Sequence, residues 1–214
     1  MRIGILGSGL MGSKLGTIFA RAGHGVVFSY SRDRKKLETL AKDAGKNASA
    51  GTPVDAARNA DVVLLAVHWT RVEDVLAQAG TLSGKVLLTC TLPMRKDDSE
   101  LVIGHDTSGA EALATKVRGA HVVSAFSTVP SEVLFPVFER SRKGRLPDLV
   151  YCGDDAEAKK KAAGLIRDVG FHPVDLGALS MARYMEPFSL LVAQLAYEGS
   201  GGPELAYRFE QFGK

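Results

Sequence analysis

Gly7-Ser8-Gly9-Leu10-Met11-Gly12 follows the apolar run Ile3-Gly4-Ile5-Leu6 and leads into a helix-forming stretch over 13–22. A strand, a turn with three spaced glycines and a helix, in that order, is what a dinucleotide requires. The first glycine permits the tight turn out of the strand. The second lets backbone N–H groups approach a pyrophosphate, and the third lets the helix pack against the strand. The helix N-terminus then presents unpaired donors and the positive end of its dipole to the diphosphate. Glycine accounts for 23 of the 214 residues, so the spacing alone would be weak evidence. The flanking strand and helix signals make it specific.

Outward from this loop, β-branched apolar runs alternate with helical patterns. Strands are predicted over 2–6, 25–30, 61–67, 85–89, 121–125, 149–152 and 172–174, and helices over 10–22, 33–44, 53–58, 71–78, 109–117 and 156–169. Such alternation implies βαβ units, and the continuous apolar strands imply a sheet covered by helices on both faces. The expected fold is a Rossmann-type, doubly wound α/β unit with a mainly parallel sheet and a short C-terminal helical segment. Residues 1–177 form the expected dinucleotide-binding domain. In 178–214 the alternation stops: a long, partly apolar helical segment runs to about Glu198, with Pro187 implying a kink or a second helix start. A break at Gly199-Ser200-Gly201-Gly202-Pro203 and a short amphipathic tail over 204–212 follow. This segment is too short for a large helical substrate domain. It is expected to pack on the same unit or on a second subunit, carrying the acceptor site and the dimer contact. Ala178, Leu179, Met181, Met185, Leu190, Leu191, Ala193, Leu195 and Ala196 give it the apolar surface that a homodimer would bury.

With 45% hydrophobic and 24% charged residues and a net charge of +3, the chain reads as an ordinary globular protein able to bury a full core. No basic stripe interleaved with aromatics argues for nucleic acid. Arg140, Arg142, Lys143 and Arg145 form the one concentrated basic run, read as a solvated loop. Cys90 and Cys152 lie in or beside apolar runs and suit small core hydrophobes. The five histidines have no metal-ligand spacing, so no metal is expected. No cleavable signal is read at the N-terminus, and the longest apolar runs are far below the ~18–20 residues of a membrane span. A cytoplasmic location without membrane contact is the expectation.

The end of the second strand selects the cofactor. An acidic residue there would accept from the ribose 2′-hydroxyl of NAD, whereas this chain offers Ser31 and Arg32. A hydroxyl and a guanidinium suit a 2′-phosphate, and Arg34, Lys35 and Lys36 add positive charge in the same turn. NADP(H) is favoured. Asp33 is the alternative ribose ligand, but it stands where it would begin a helix and complement the dipole.

Several segments together resemble the F420-dependent NADP reductases and, more distantly, the NADPH-binding reductase domain of the six-transmembrane metalloreductases. They are the glycine loop, Ser31-Arg32, Ala66-Val67-His68-Trp69, 122–130, 151–155 and 174–180. The resemblance implies a small, dimeric Rossmann protein that moves hydride between nicotinamide C4 and C5 of a deazaflavin. By position it implies that Gly7, Ser8, Gly9, Leu10, Met11 and Gly12 line the diphosphate, and that Ser31, Arg32 and Lys36 surround the 2′-phosphate. Val67, His68 and Trp69 would wall the groove, Thr91, Leu92 and Pro93 would border the nicotinamide, and Ser127, Thr128 and Pro130 would face the acceptor. The chain departs from the archaeal pattern at His68, where proline is usual, and at Ser127, where histidine is usual. The acceptor is therefore left open.

Reduction of a carbonyl needs a proton donor at the site. Met181-Ala182-Arg183-Tyr184-Met185-Glu186-Pro187 supplies Arg183, Tyr184 and Glu186, but not the lysine with downstream asparagine of the 3-hydroxyacid dehydrogenase pattern. Hydride exchange between two ring cofactors needs alignment and exclusion of water instead. The expected activity is hydride transfer between NADP(H) and coenzyme F420 or a flavin-like ring, with no catalytic side chain assigned. A ferric chelate reached through a flavin, a quinone or an imine are the alternative acceptors, and a non-catalytic NADP(H) sensor is the alternative class. Trp69 reads equally as core packing, Asp154-Asp155 as the cap of the helix at Ala156, and Ser180 as a cap of the long helix.

Overall fold

The computed structural model describes residues 1–140 and 145–213. Arg142 and Lys143 of the basic run lie outside the described residues. Eight strands form one sheet in the order β3-β2-β1-β4-β5-β6-β7-β8. They are β1 Arg2–Leu6, β2 Gly25–Ser29, β3 Ala48–Ala50, β4 Val62–Leu65, β5 Val86–Thr89, β6 His121–Ala125, β7 Asp148–Gly153 and β8 His172–Asp175. All pairings are parallel except β6 with β7, which is antiparallel. Helices α1 Leu10–Arg21, α2 Arg34–Ala44, α3 Pro53–Arg58, α4 Val72–Ala79, α5 Gly109–Lys116, α6 Leu134–Arg140, α7 Ala156–Val169 and α8 Ala182–Tyr197 cover the sheet. The order reverses direction at β1, where β2 lies on one side and β4 on the other. Ligand crevices of open α/β sheets form at such a switch point, beyond the carboxyl ends of the strands.

Alternation along each strand divides the core in two. Ile3, Ile5, Val62 and Leu64 pack on one face with Phe19, Phe28, Phe126 and Phe171. Leu6, Val63 and Leu65 pack on the other with Val72, Val75, Leu113 and Met185. Because successive side chains point to opposite faces, strands that are apolar at every position feed both layers at once.

Two elements were not expected. Strand β3 is only Ala-Ser-Ala, without the β-branched residues that mark a strand. Helix α6 holds Pro136 close to its start, where proline is tolerated although it reads as a helix breaker. No second helix starts at Pro187: it lies inside α8, which runs through it unbroken, and a 3-10 turn, Leu179–Met181, precedes the helix. Ser180 is not its cap, since Met181 holds that position and makes no side-chain capping bond. Asp155 does cap α7, accepting from Ala158 N at 2.7 Å. The tail is not helical. Tyr207 bridges antiparallel to Asp148, and its hydroxyl meets Thr128 Oγ1 at 2.7 Å and accepts from Val150 N at 3.2 Å. The tail thus packs on the same unit.

Two of the three candidate proton donors, Arg183 and Glu186, instead dock α8 against α5. Glu186 is only 2% exposed and accepts the N–H groups of Gly109 and Ala110 at 2.9 and 3.0 Å, at the start of α5. Burial pushes its carboxyl up to about 7, against the lowering effect of those two bonds. Arg183 pairs bidentately with Glu111 at 2.6 and 2.9 Å, and this hydrogen bond holds the Glu111 carboxyl below its ordinary range. Tyr184 faces outward. Among the described residues no helix is long and apolar enough to cross a membrane.

Candidate functional site

The glycine loop meets the geometric demands read from its spacing. Gly7 has φ +112°, and a Cβ there would lie 2.4 Å from the Ala66 carbonyl oxygen and 2.6 Å from Val67 Cγ1. At Gly12 a Cβ would lie 1.8 Å from the Gly7 carbonyl oxygen. Both positions therefore demand glycine for packing. Gly9 differs, because a Cβ there meets nothing within 4 Å. Its missing side chain leaves room outside the protein, over the start of α1, where no side chain caps the first turn. Open space above uncapped N–H groups is what an anionic diphosphate would fill.

The loop is held rigidly. Ser8 Oγ donates to the Ser29 carbonyl at 2.9 Å, and Ser29 Oγ donates to the Ile5 carbonyl at 2.7 Å, tying the ends of β1 and β2 together. Beside it a cleft of about 590 Å³ runs over the carboxyl ends of β1, β2, β3 and β4. Gly7, Ser8, Gly9, Ser31, Arg32, Val67 and His68 line it, as do residues not anticipated: Tyr30, Thr52, Arg71, Asp74 and Gln78. Missing β3 from the strand reading also hid the Gly51-Thr52 turn that follows it.

Ser31 and Arg32 both border this cleft. Asp33 does not act as the alternative: its carboxylate caps α2, accepting from Lys35 N at 2.9 Å and Lys36 N at 3.4 Å. Lys36 is exposed on the first turn of α2, outside the lining. His68 Nδ1 accepts from Thr70 N at 3.2 Å, so Nε2 carries the proton shared with the Arg95 carbonyl at 3.0 Å and Asp98 at 3.1 Å. Trp69 lies apart from the cleft. It packs against the second core layer and borders a separate hollow with Ile103 and Lys116, because the 3-10 turn that it begins carries it to the far side of His68.

A second hollow of about 250 Å³ adjoins the other side of the loop. Leu10, Met11, Leu92, Ser127 and Pro130 line it, together with Cys90, Phe126, Val192 and Tyr197. Thr91, Pro93 and Thr128 are buried behind these surfaces. Thr91 Oγ1 donates to the Val67 carbonyl at 2.9 Å, Pro93 packs where a Cβ on Gly109 would sit, and Thr128 holds Tyr207. They support the walls rather than form them. The titratable side chains of the lining are Cys90 and Tyr197. Burial pushes the Cys90 thiol up to about 12, and burial together with Glu132, 3.1 Å from the phenol, raises Tyr197.

Fold, glycine loop and cleft together define the class: a Rossmann-type α/β protein with the geometry of a dinucleotide-binding site. Within that class, residues 2–93 match the family described as NADP oxidoreductase, coenzyme F420-dependent, in agreement with the resemblance carried by the motifs. The chain is similar to the metalloreductase STEAP3 of Rattus norvegicus, with 29% identity over 189 residues, covering 88% of this chain and 36% of the relative. It therefore spans little more than a third of that relative's length. Among solved structures, a protein of Arthrobacter sp. FB24, provisionally described as an F420-dependent NADP reductase, superposes with a TM-score of 0.86. It shares 22% identity over 99% of this chain and 100% of its own. A reductive aminase from Aspergillus terreus in complex with NADPH and ethyl-5-oxohexanoate gives a TM-score of 0.65 at 21% identity, covering 90% and 61% of the two chains. These two likenesses establish the fold.

Proposed function

We propose that the protein binds NADP(H) along the larger cleft and exchanges hydride between it and a deazaflavin or flavin-like ring seated at the smaller hollow. The observation that carries this reading is the lining of that hollow. It is mainly apolar, with Ser127, Ser131 and Ser189 as its aliphatic hydroxyls, it adjoins the glycine loop, and its titratable side chains are two groups whose protons are held tightly. A ring acceptor needs an apolar wall, exclusion of water and a fixed approach rather than a proton donor, and the hollow's lining supports the first of these. When bound, the nicotinamide supplies or accepts the hydride. The chain's part is to cradle the diphosphate at Gly9 and the start of α1, to hold the 2′-phosphate at Ser31 and Arg32, and to position the acceptor against Leu10, Leu92, Ser127 and Pro130.

The identity with a metalloreductase favours a second reading, in which the acceptor is a flavin whose electrons pass on to a metal chelate. Anaerobic stopped-flow oxidation of NADPH against F420, FMN, FAD and small carbonyls tests both. Transfer to a ring acceptor, and not to the carbonyls, is expected. Absence of transfer to every ring would leave the NADP(H) sensor reading in front.

The working unit in this proposal is a homodimer. Helix α8 buries Ala182, Met185, Ser189, Val192 and Ala196 in its own chain, so Leu179, Met185 and Ala196 are not available to a partner. It leaves Tyr184, Leu191 and Leu195 more than 60% exposed at helical spacing. An apolar stripe of this kind is a surface that a second copy would cover. Sedimentation at micromolar concentration should give the mass of a dimer, and a monomer would refute the assignment.

A further inference from the structure

Three guanidiniums line the cleft: Arg32 and Arg34 from the segment after β2, and Arg71 from the segment after β4. Arg71 ends the 3-10 turn Trp69–Arg71 and lines the same cleft as Ser31 and Arg32. Its ordinary partner would be Asp74, three residues on, because opposite charges at that spacing are neighbours on a helix surface. Asp74 is otherwise engaged. Its Oδ2 accepts from the Tyr30 hydroxyl and, at 3.1 Å, from Gln78 Nε2. Arg71 is near enough to help hold the Asp74 carboxyl low, yet among the described residues its guanidinium makes no hydrogen bond or close ion pair.

Tyr30 connects the two walls. It has φ +60°, a conformation that a bulky residue adopts only under constraint, and its bond to Asp74 on α4 is such a constraint. Burial and that bond push its phenol up to about 12, while Arg71 and Arg32 both act in the opposite direction. Arg32, from the loop after β2, and Arg71, from the loop after β4, therefore line one cleft together with this hydroxyl.

We propose that Arg71 is a second ligand of the 2′-phosphate of a 2′-phosphorylated adenosine, and that Tyr30 acts as a positioning residue by occupying Asp74 so that Arg71 remains free for that anion. This rests on the NADP(H) reading above. A dianionic phosphate has oxygens enough to accept from both guanidiniums, whereas a 2′-hydroxyl has no charge for either to meet. If Arg71 instead lay flat on the adenine, it would favour NADPH and NADH alike.

Calorimetric titration of NADPH, NADH and 2′,5′-ADP into the wild type, Arg71→Ala, Tyr30→Phe and the double variant separates these cases. Arg71 is exposed, so its loss leaves the core untouched. Arg71→Ala should weaken NADPH and 2′,5′-ADP about tenfold or more, as expected for a charge-assisted contact, and leave NADH nearly unchanged. Tyr30→Phe should lower the NADPH-to-NADH affinity ratio by a smaller factor, since the released Asp74 captures Arg71. In the Arg71→Ala background it should lower that ratio no further. Equal losses for NADPH and NADH in Arg71→Ala, or full additivity of the two changes, would overturn the proposal while the NADP(H) reading stands. A wild type without preference for NADPH would overturn both.

Discussion

Gly9→Val is expected to remove NADPH binding while leaving the fold intact. The backbone at Gly9 is extended, φ −78° and ψ −160°, which a β-branched residue accepts without strain. A Cβ meets no protein atom within 4 Å. The added methyl groups would instead stand over the first turn of α1, where the diphosphate must approach the N–H groups. Losing two charge-assisted hydrogen bonds at about 1.5–3 kcal/mol each would weaken binding ~100-fold or more. Gly12→Ala supplies the contrast, because its Cβ would fall 1.8 Å from the Gly7 carbonyl oxygen. Forcing that backbone apart should cost about 1–3 kcal/mol, and each kcal/mol should lower Tm by roughly 2–4 °C in a chain of this size. Calorimetry with NADPH and thermal unfolding of both variants check the pair. Unchanged affinity in Gly9→Val would mean that the loop is not the phosphate cradle.

The contrast between these two glycines also shows what a sequence can carry. A spacing of glycines specifies a strand, a tight turn and a helix, and local chemistry was enough for β1, α1, α3 and α7, whose limits follow from apolar period and caps. It was not enough where an element owes its existence to its neighbours. Ala48–Ala50 has no strand chemistry of its own and becomes β3 only because β2 offers an edge, with Val26, Val27 and Phe28 in register. The antiparallel placement of β7 against β6 is likewise set in three dimensions. It depends on the route of the chain through α6, which no periodicity announces.

The site divides along the same line. Residues contiguous with a motif, Gly7 to Met11 and Ser31-Arg32, could be placed along the cleft and the hollow because their chemistry and their place at a strand end coincide. Tyr30, Arg71 and Asp74 were not, since Tyr30 and Asp74 are 44 residues apart and meet only when β2 and α4 are brought side by side. One signal was available: in an open α/β sheet every loop after a strand near the switch point borders the crevice. Applied to the loop after β4, that rule would have added Arg71. Trp69, Thr91, Pro93 and Thr128 show the converse error. Neighbouring a lining residue in sequence does not make a residue part of the lining, because the chain alternates between cleft and core within one or two positions.

Arg32→Glu should turn cofactor preference from NADPH toward NADH. Arg32 is exposed at the cleft edge, beside Ser31 and after the end of β2, and among the described residues it forms no close ion pair that would hold it elsewhere. Its neighbour Arg34, which also lines the cleft, makes a surface pair with Glu38 at 3.1 Å, and Asp33 caps α2. In the wild type the guanidinium would meet a dianionic phosphate. In the variant the carboxylate would repel that phosphate and could accept from a ribose 2′-hydroxyl instead. Loss of one charge-assisted contact, about 1.5–3 kcal/mol, corresponds to roughly 10- to 150-fold in NADPH affinity, and repulsion adds to it. Arg34 and Arg71 work against the change, because the other guanidiniums lining the cleft retain part of the attraction. The loss should therefore be greater when Arg32→Glu is combined with Arg71→Ala than in either single variant. Because exposed charges are screened within about 8–10 Å at ordinary ionic strength, the discrimination should also narrow as salt is raised. Titration of both cofactors into wild type and variant decides the matter: an unaltered NADPH-to-NADH ratio would mean that Arg32 serves only the solvent and that the 2′-phosphate is held elsewhere.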